Sequence, residues 1–122
     1  MLLLTCGLAN AQNNIRFGSS KFGNIVANFD GTYLRKGSGK YGDILATYDG
    51  TYFRKGSSKF GDIIAVQDDS YIRKGSSKFG TIIATIDKNY IRKGSSKFGD
   101  ILGNFEGGYI TGFAAAIYFL LT

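Results

Sequence analysis

The stretch YIRKGSSKFG occurs twice letter for letter, at 71–80 and 90–99, with near copies YLRKGSGKYG at 33–42 and YFRKGSSKFG at 52–61. Working outward from it, the period is 19 residues without a gap. Tyr33, Tyr52, Tyr71, Tyr90 and Tyr109 share one column, and Arg16, Arg35, Arg54, Arg73 and Arg92 another. Two glycine columns run from Gly18 to Gly94 and from Gly23 to Gly99, and an isoleucine column runs from Ile25 to Ile101. Five copies therefore cover residues 15–109, and a fixed period of this kind marks a repeat architecture.

One unit, GDILATYDGTYFRKGSSKF (42–60), reads as two short strands and two turns. Ile44 to Tyr48 is apolar, aromatic or β-branched and of ordinary strand length. Asp49-Gly50 is a strong hairpin signal, of the kind that favours a type I′ turn. Thr51 to Lys55 is the return strand, and Gly56-Ser57-Ser58-Lys59 links to the next hairpin. The third and fourth copies carry Asp68-Asp69-Ser70 and Asp87-Lys88-Asn89 at the hairpin turn, so a strict positive φ is not demanded there and the turn type varies with the copy. Strict alternation sends Ile44, Ala46 and Tyr48 to one face and Leu45 and Thr47 to the other. The aromatics of the repeat, Phe60 and its counterparts included, are expected to pack in the core.

An isolated hairpin is marginal, so neighbouring units must bury one another. An open solenoid would need atypical caps, whereas the first copy is nearly as regular as the middle ones. The expected fold is all-β: five 19-residue hairpins in a closed radial array, with a short apolar C-terminal segment. Residues 12–122 are expected to form one domain, repeats 15–109 and tail 110–122, and a length of 122 leaves little room for a second core.

The N-terminal MLLLTCGLANAQNN is an apolar run ending in a small-x-small pattern, without a basic start. It reads as a signal-peptide-like segment, 1–11, cleaved after Ala11, which predicts an exported protein. Removal of that segment would take away Cys6, the only cysteine. At the other end, Phe113 to Leu121 is apolar but far short of the ~20 residues a spanning helix needs. It is expected to plug the axis as a helix or strand, with Ala114-Ala115-Ala116 tilting toward helix. The alternative is an apolar patch in peripheral contact with a membrane.

Absences limit the chemistry. There is no histidine, so Ser-His-Asp and Cys-His catalysis and zinc sites built on those ligands are not expected. Each Ser-Lys pair, such as Ser58-Lys59, recurs in a turn, where it serves the backbone. The carboxylates at Asp30, Asp49, Asp68, Asp87 and Glu106 also sit at hairpin turns, and one per unit is a poor calcium ligand set. Gly37-Ser38-Gly39-Lys40-Tyr41-Gly42 matches G-x-G-x-x-G, but no βαβ unit surrounds it. No enzyme activity, cofactor or metal is expected.

Formal net charge is +6. Most of it is one repeat's surplus lysine multiplied, and nucleic acid is not the expected partner. What remains is a periodic set of basic groups interleaved with aromatics: Arg35, Lys36 and Lys40; Arg54, Lys55 and Lys59; Arg73, Lys74 and Lys78; Arg92, Lys93 and Lys97. Aligned around a ring, these columns are the candidate partner-binding residues, suited to an anionic glycan, lipid or cell-envelope polymer. The competing expectation is that each arginine pairs with an aspartate of the adjacent unit.

Tandem units built on YIRKGSSKFG and GDILATYDG (42–50) resemble the five-fold beta-flower proteins, a family of secreted bacterial β-hairpin repeats. The resemblance covers 15–109 and the apolar tail. It implies a radial set of hairpins and no particular activity. The expected role is thus non-catalytic, either structural, assembly or surface interaction, with multivalent binding of an anionic ligand as the alternative. Homo-oligomers or filaments are a further expected outcome of imperfect closure or of the tail.

Overall fold

A computed structural model describes residues 13–122. The signal-like segment 1–11 and its cleavage after Ala11 lie outside the described residues. Ten strands follow in order: β1 Asn13–Phe17, β2 Ile25–Phe29, β3 Tyr33–Lys36, β4 Ile44–Tyr48, β5 Tyr52–Lys55, β6 Ile63–Asp68, β7 Tyr71–Lys74, β8 Ile82–Asp87, β9 Tyr90–Lys93 and β10 Ile101–Phe105. A helix, α1, spans Tyr109–Leu121. Every neighbouring pair is antiparallel, and β1 joins β10 to close the barrel. Closure removes the unpaired edges that a solenoid would have had to protect.

The last copy does not run as the period predicts. β10 is the outgoing strand of a hairpin, but its return partner is β1, with Ile15 opposite Phe105 and Arg16 opposite Asn104. Asn14 thus stands where the Tyr109 column would be. Tyr109 instead begins α1, after the chain turns at Gly107 with φ of 93°. N- and C-terminal parts of the chain therefore interlock in one sheet.

Each hairpin turn has two central residues, and only the first has positive φ: 102° at Gly31 and Gly50, 60° at Asp69 and 57° at Lys88. That sign pattern belongs to a type II′ turn, not the type I′ turn expected from Asp-Gly. The third and fourth copies, whose residues do not demand positive φ, adopt it at the first central position as well. All four share positive φ at the first central position, but at Asp30 and Asp49 the aspartate side chain accepts the Tyr33 and Tyr52 N–H, while Asp69 and Lys88 accept a conformation that favours glycine.

Alternation fails at the start of each outgoing strand. Between Leu34 and Arg35 of β3, the partner skips from Ala46 to Ile44, leaving Leu45 as a bulge. The same shift recurs at β5–β6, β7–β8 and β9–β10. A bulge lets two successive side chains share a face. Leu45 accordingly packs against the core beside Ala46, as do Val26, Ile64, Ile83 and Leu102 in their units.

The barrel is filled by α1. Thr111 to Ile117 are buried, and Phe113 meets Phe53 edge-on at 4.7 Å between ring centres. Phe53 in turn stacks near Phe29 and Tyr48, and each fully buried large apolar side chain contributes about 1.5–3 kcal/mol. Two glycines seat the helix in this nearly symmetric shell. A Cβ on Gly112 would lie 2.8 Å from the Phe105 ring, and one on Gly103 would collide with the Phe119 ring. The other units have alanine in the Gly103 column, so Phe119 fits against one strand only. Asn13 also donates from Nδ2 to the Thr111 hydroxyl at 3.2 Å, tying β1 to the first turn of the helix.

Candidate functional site

All the hairpin turns lie at one end of the barrel and all the longer connections at the other, because the strands alternate in direction. At the turn end the charges are paired. Arg54 Nε donates to Asp49 Oδ2 at 2.6 Å, and Arg73 and Arg92 do the same to Asp68 and Asp87 at 3.2 and 3.0 Å. Arg35 and Asp30 are 3.9 Å apart, and Arg16 and Glu106 3.6 Å. In the four continuous hairpins the arginine meets the aspartate of its own turn, not that of an adjacent unit. The register places the two on one face with the turn between them. Burial alone would push the Asp49 carboxyl up. Hydrogen bonds from the Tyr52 N–H, the Arg54 guanidinium and the Thr51 N–H hold it at about 2 instead. Burial, with Asp49 nearby, raises the Tyr48 hydroxyl.

Each arginine also donates to a loop carbonyl, and all but Arg16 lie over a tyrosine ring. Arg54 Nη1 donates to the Gly61 carbonyl at 2.9 Å, and its guanidinium lies 5.9 Å from the Tyr52 ring centre. The same carbonyl contact recurs at Arg16, Arg35, Arg73 and Arg92, at 2.8–3.0 Å. The structure therefore places the arginines of the candidate set in a girdle, half-buried and joining turn to loop.

The lysines are elsewhere. Ser58-Lys59-Phe60-Gly61 forms a tight turn, in which the Gly61 N–H donates to the Ser58 carbonyl at 3.3 Å. The Ser58 hydroxyl accepts from the Phe60 N–H at 3.0 Å. Gly61 is required because a Cβ there would collide with the Lys55 carbonyl. Lysine and phenylalanine are thus the two central residues of the turn, and both project into solvent. Phe22, Phe60, Phe79 and Phe98 are 95–96% exposed and Tyr41 89%. The expectation that these aromatics pack is overturned. Ser at the first turn position and Gly at the fourth were the signal that could have placed them at a turn centre.

A second set of lysines rings the mouth at the same end. Lys36, Lys55, Lys74 and Lys93 pair across the sheet with buried Ala27, Ala46, Ala65 and Ala84, so they share the inner face. The last turn of α1 emerges between them: Lys93 lies with Ala116, Phe119 and Leu120 around one small cavity. Lys93 thus lies beside the negative end of the helix dipole, and α1 carries no basic residue in its own last turn.

The partition of charge is complete. Nine lysines and three aspartates, Asp43, Asp62 and Asp100, lie at the loop end. The remaining six carboxylates at the turn end are matched by five arginines and Lys88. All of the +6 therefore belongs to the end that also carries the exposed aromatics. Among the described residues, no three Asp, Glu, Cys or His side chains gather as metal ligands.

Fold and site together define a repeat-built, helix-filled β-barrel with one basic, aromatic end. A family model described as 6-fold beta flower protein matches residues 7–118, and the chain belongs to that family. The beta-flower resemblance holds at family level, while the five-fold count read from the period differs from the family's six-fold description. No curated protein and no solved structure matches the chain.

Proposed function

We propose that the protein is an exported, non-catalytic interaction module, a five-petalled member of its family that binds an anionic surface or polymer through its loop end. The observation that carries this is the segregation of the whole net charge to that end, on lysines with no carboxylate partner in the ion pairs of the barrel. The ten-strand barrel and the 19-residue period support the five-petal count. Each tip, four Lys-Phe and one Lys-Tyr, is a weak contact, but five tips on one rigid barrel act as one multivalent ligand. The arginines belong to the scaffold, and Ser58 and its counterparts are occupied in turn hydrogen bonds. Both facts support a role without catalysis.

The test is retention on immobilised dextran sulfate across a salt gradient. Replacing Lys59, Lys78 and Lys97 by Glu is expected to abolish retention at low salt, with an unchanged circular dichroism spectrum and melting curve. Full retention by that variant would refute the proposal.

A further inference from the structure

Resting on that reading, we infer that the surface bound is an anionic lipid bilayer, with the loop-end aromatics seated at the headgroup boundary. Three observations favour lipid over a soluble polymer. First, five large aromatic side chains 89–96% exposed at one end are apolar area with no partner in the barrel. Amphipathic and aromatic groups of this kind settle at a membrane interface. Secondly, sugar rings need polar side chains beside an aromatic platform. At four of the five tips the serine hydroxyl already accepts from the aromatic residue's own N–H, the Tyr41 tip has Gly39 in place of serine, and the neighbouring charge is lysine throughout. Thirdly, the axis of the same end presents the end of α1, with Leu120 and Leu121 37% and 39% exposed, inside the ring of mouth lysines. An apolar centre ringed by cations, and beyond them by Lys-Phe tips, complements anionic headgroups over acyl chains.

The contact is peripheral. The strands have 4–6 residues, against the 9–11 or so that a spanning strand needs. No helix among the described residues is long and apolar enough to cross a membrane.

The chain has no tryptophan, so Phe60→Trp introduces a single fluorophore at a tip. Mixed with vesicles of phosphatidylcholine and phosphatidylglycerol, this full-length variant is expected to show a blue-shifted emission, quenched by lipids brominated near the top of the acyl chain. Pure phosphatidylcholine vesicles are expected to produce no shift. Replacing Phe22, Phe79 and Phe98 by Ser in the same background should weaken vesicle binding by roughly tenfold or more, while retention on dextran sulfate persists. Retention on dextran sulfate without any emission shift on anionic vesicles would overturn this inference and leave the proposed function standing. Failure to bind either would overturn both. Equal binding to neutral vesicles would overturn the role given to the lysines.

Discussion

The two ends of the barrel are made from the same 19 residues and behave in opposite ways. At the turn end every carboxylate column has an arginine within reach, the turns have two central residues, and α1 enters through Thr111 and Phe113. At the loop end the lysines have no such partners, and an aromatic in each unit stands almost wholly in water. The spacing explains this. Asp and Arg lie five residues apart across a tight turn and fall on one face, whereas Lys and Phe are adjacent and occupy the centre of a turn. A single repeat therefore encodes ion-paired turns at one end and exposed lysine–aromatic tips at the other. Repetition multiplies both.

The sharpest way to break the comparison is one substitution made at both ends. Phe53→Ala empties a fully buried site against Phe113, Phe29 and Tyr48, and should cost about 3–5 kcal/mol in urea unfolding. Phe60→Ala, seven residues on, should leave the unfolding midpoint where it is and weaken only vesicle binding. Equal destabilisation by the two would mean that the loop tips are part of the core.

How much of this was legible in the sequence follows the same division. Period, strands and closure could be read because they rest on patterns that the backbone must respect in every copy. The bulge at Leu45 could not: strict alternation assigns it to the wrong face, and only pairing with β3 reveals the extra residue. Hydrophobicity alone assigns Phe60 to the core, whereas Ser58 and Gly61 mark it as the centre of a turn. The replacement of the Tyr109 strand by β1 is a long-range event, decided by the barrel needing a partner for β10. Of the candidate set, the lysines project from the loop end, while the arginines are held between turn aspartate and loop carbonyl. The hairpin turn deceived for a local reason, since Asp-Gly suits several turn types and the sheet register selects one.

A smaller effect separates the carboxylates of the two ends. Asp49 is held at about 2 against an ordinary value of 3.8. Its folded value lies below its unfolded one, so its contribution is complete above the unfolded value and is lost as pH falls from about 4 to 2. Asp49→Asn should cost about 1–2 kcal/mol at neutral pH and flatten that part of the stability-against-pH curve. Asp62→Asn, exposed at the loop end and without a salt bridge among the described residues, should leave the stability at neutral pH unchanged. An acid limb unaltered by Asp49→Asn would show that the pair with Arg54 is not what stabilises this end.

The smallest effect tests whether the register of the barrel, and not the local sequence, dictates the turn. Asp69 and Lys88 adopt φ of 60° and 57° where two other hairpins have glycine at 102°. Residues with a side chain bear a cost of about 1 kcal/mol in that region, which Asp69→Gly and Lys88→Gly should each recover in part as a higher unfolding midpoint. The same change at Ser70, the second central position, where φ is not positive, should lower the midpoint, because glycine there only adds freedom to the unfolded chain. If glycine raised the midpoint equally at both positions, the turn would relax to suit its residues. If it does so only at the first, the closed barrel imposes a II′ turn on whatever residue the repeat supplies, and drift in the turn sequence is absorbed as strain at this end while the loop tips keep their form.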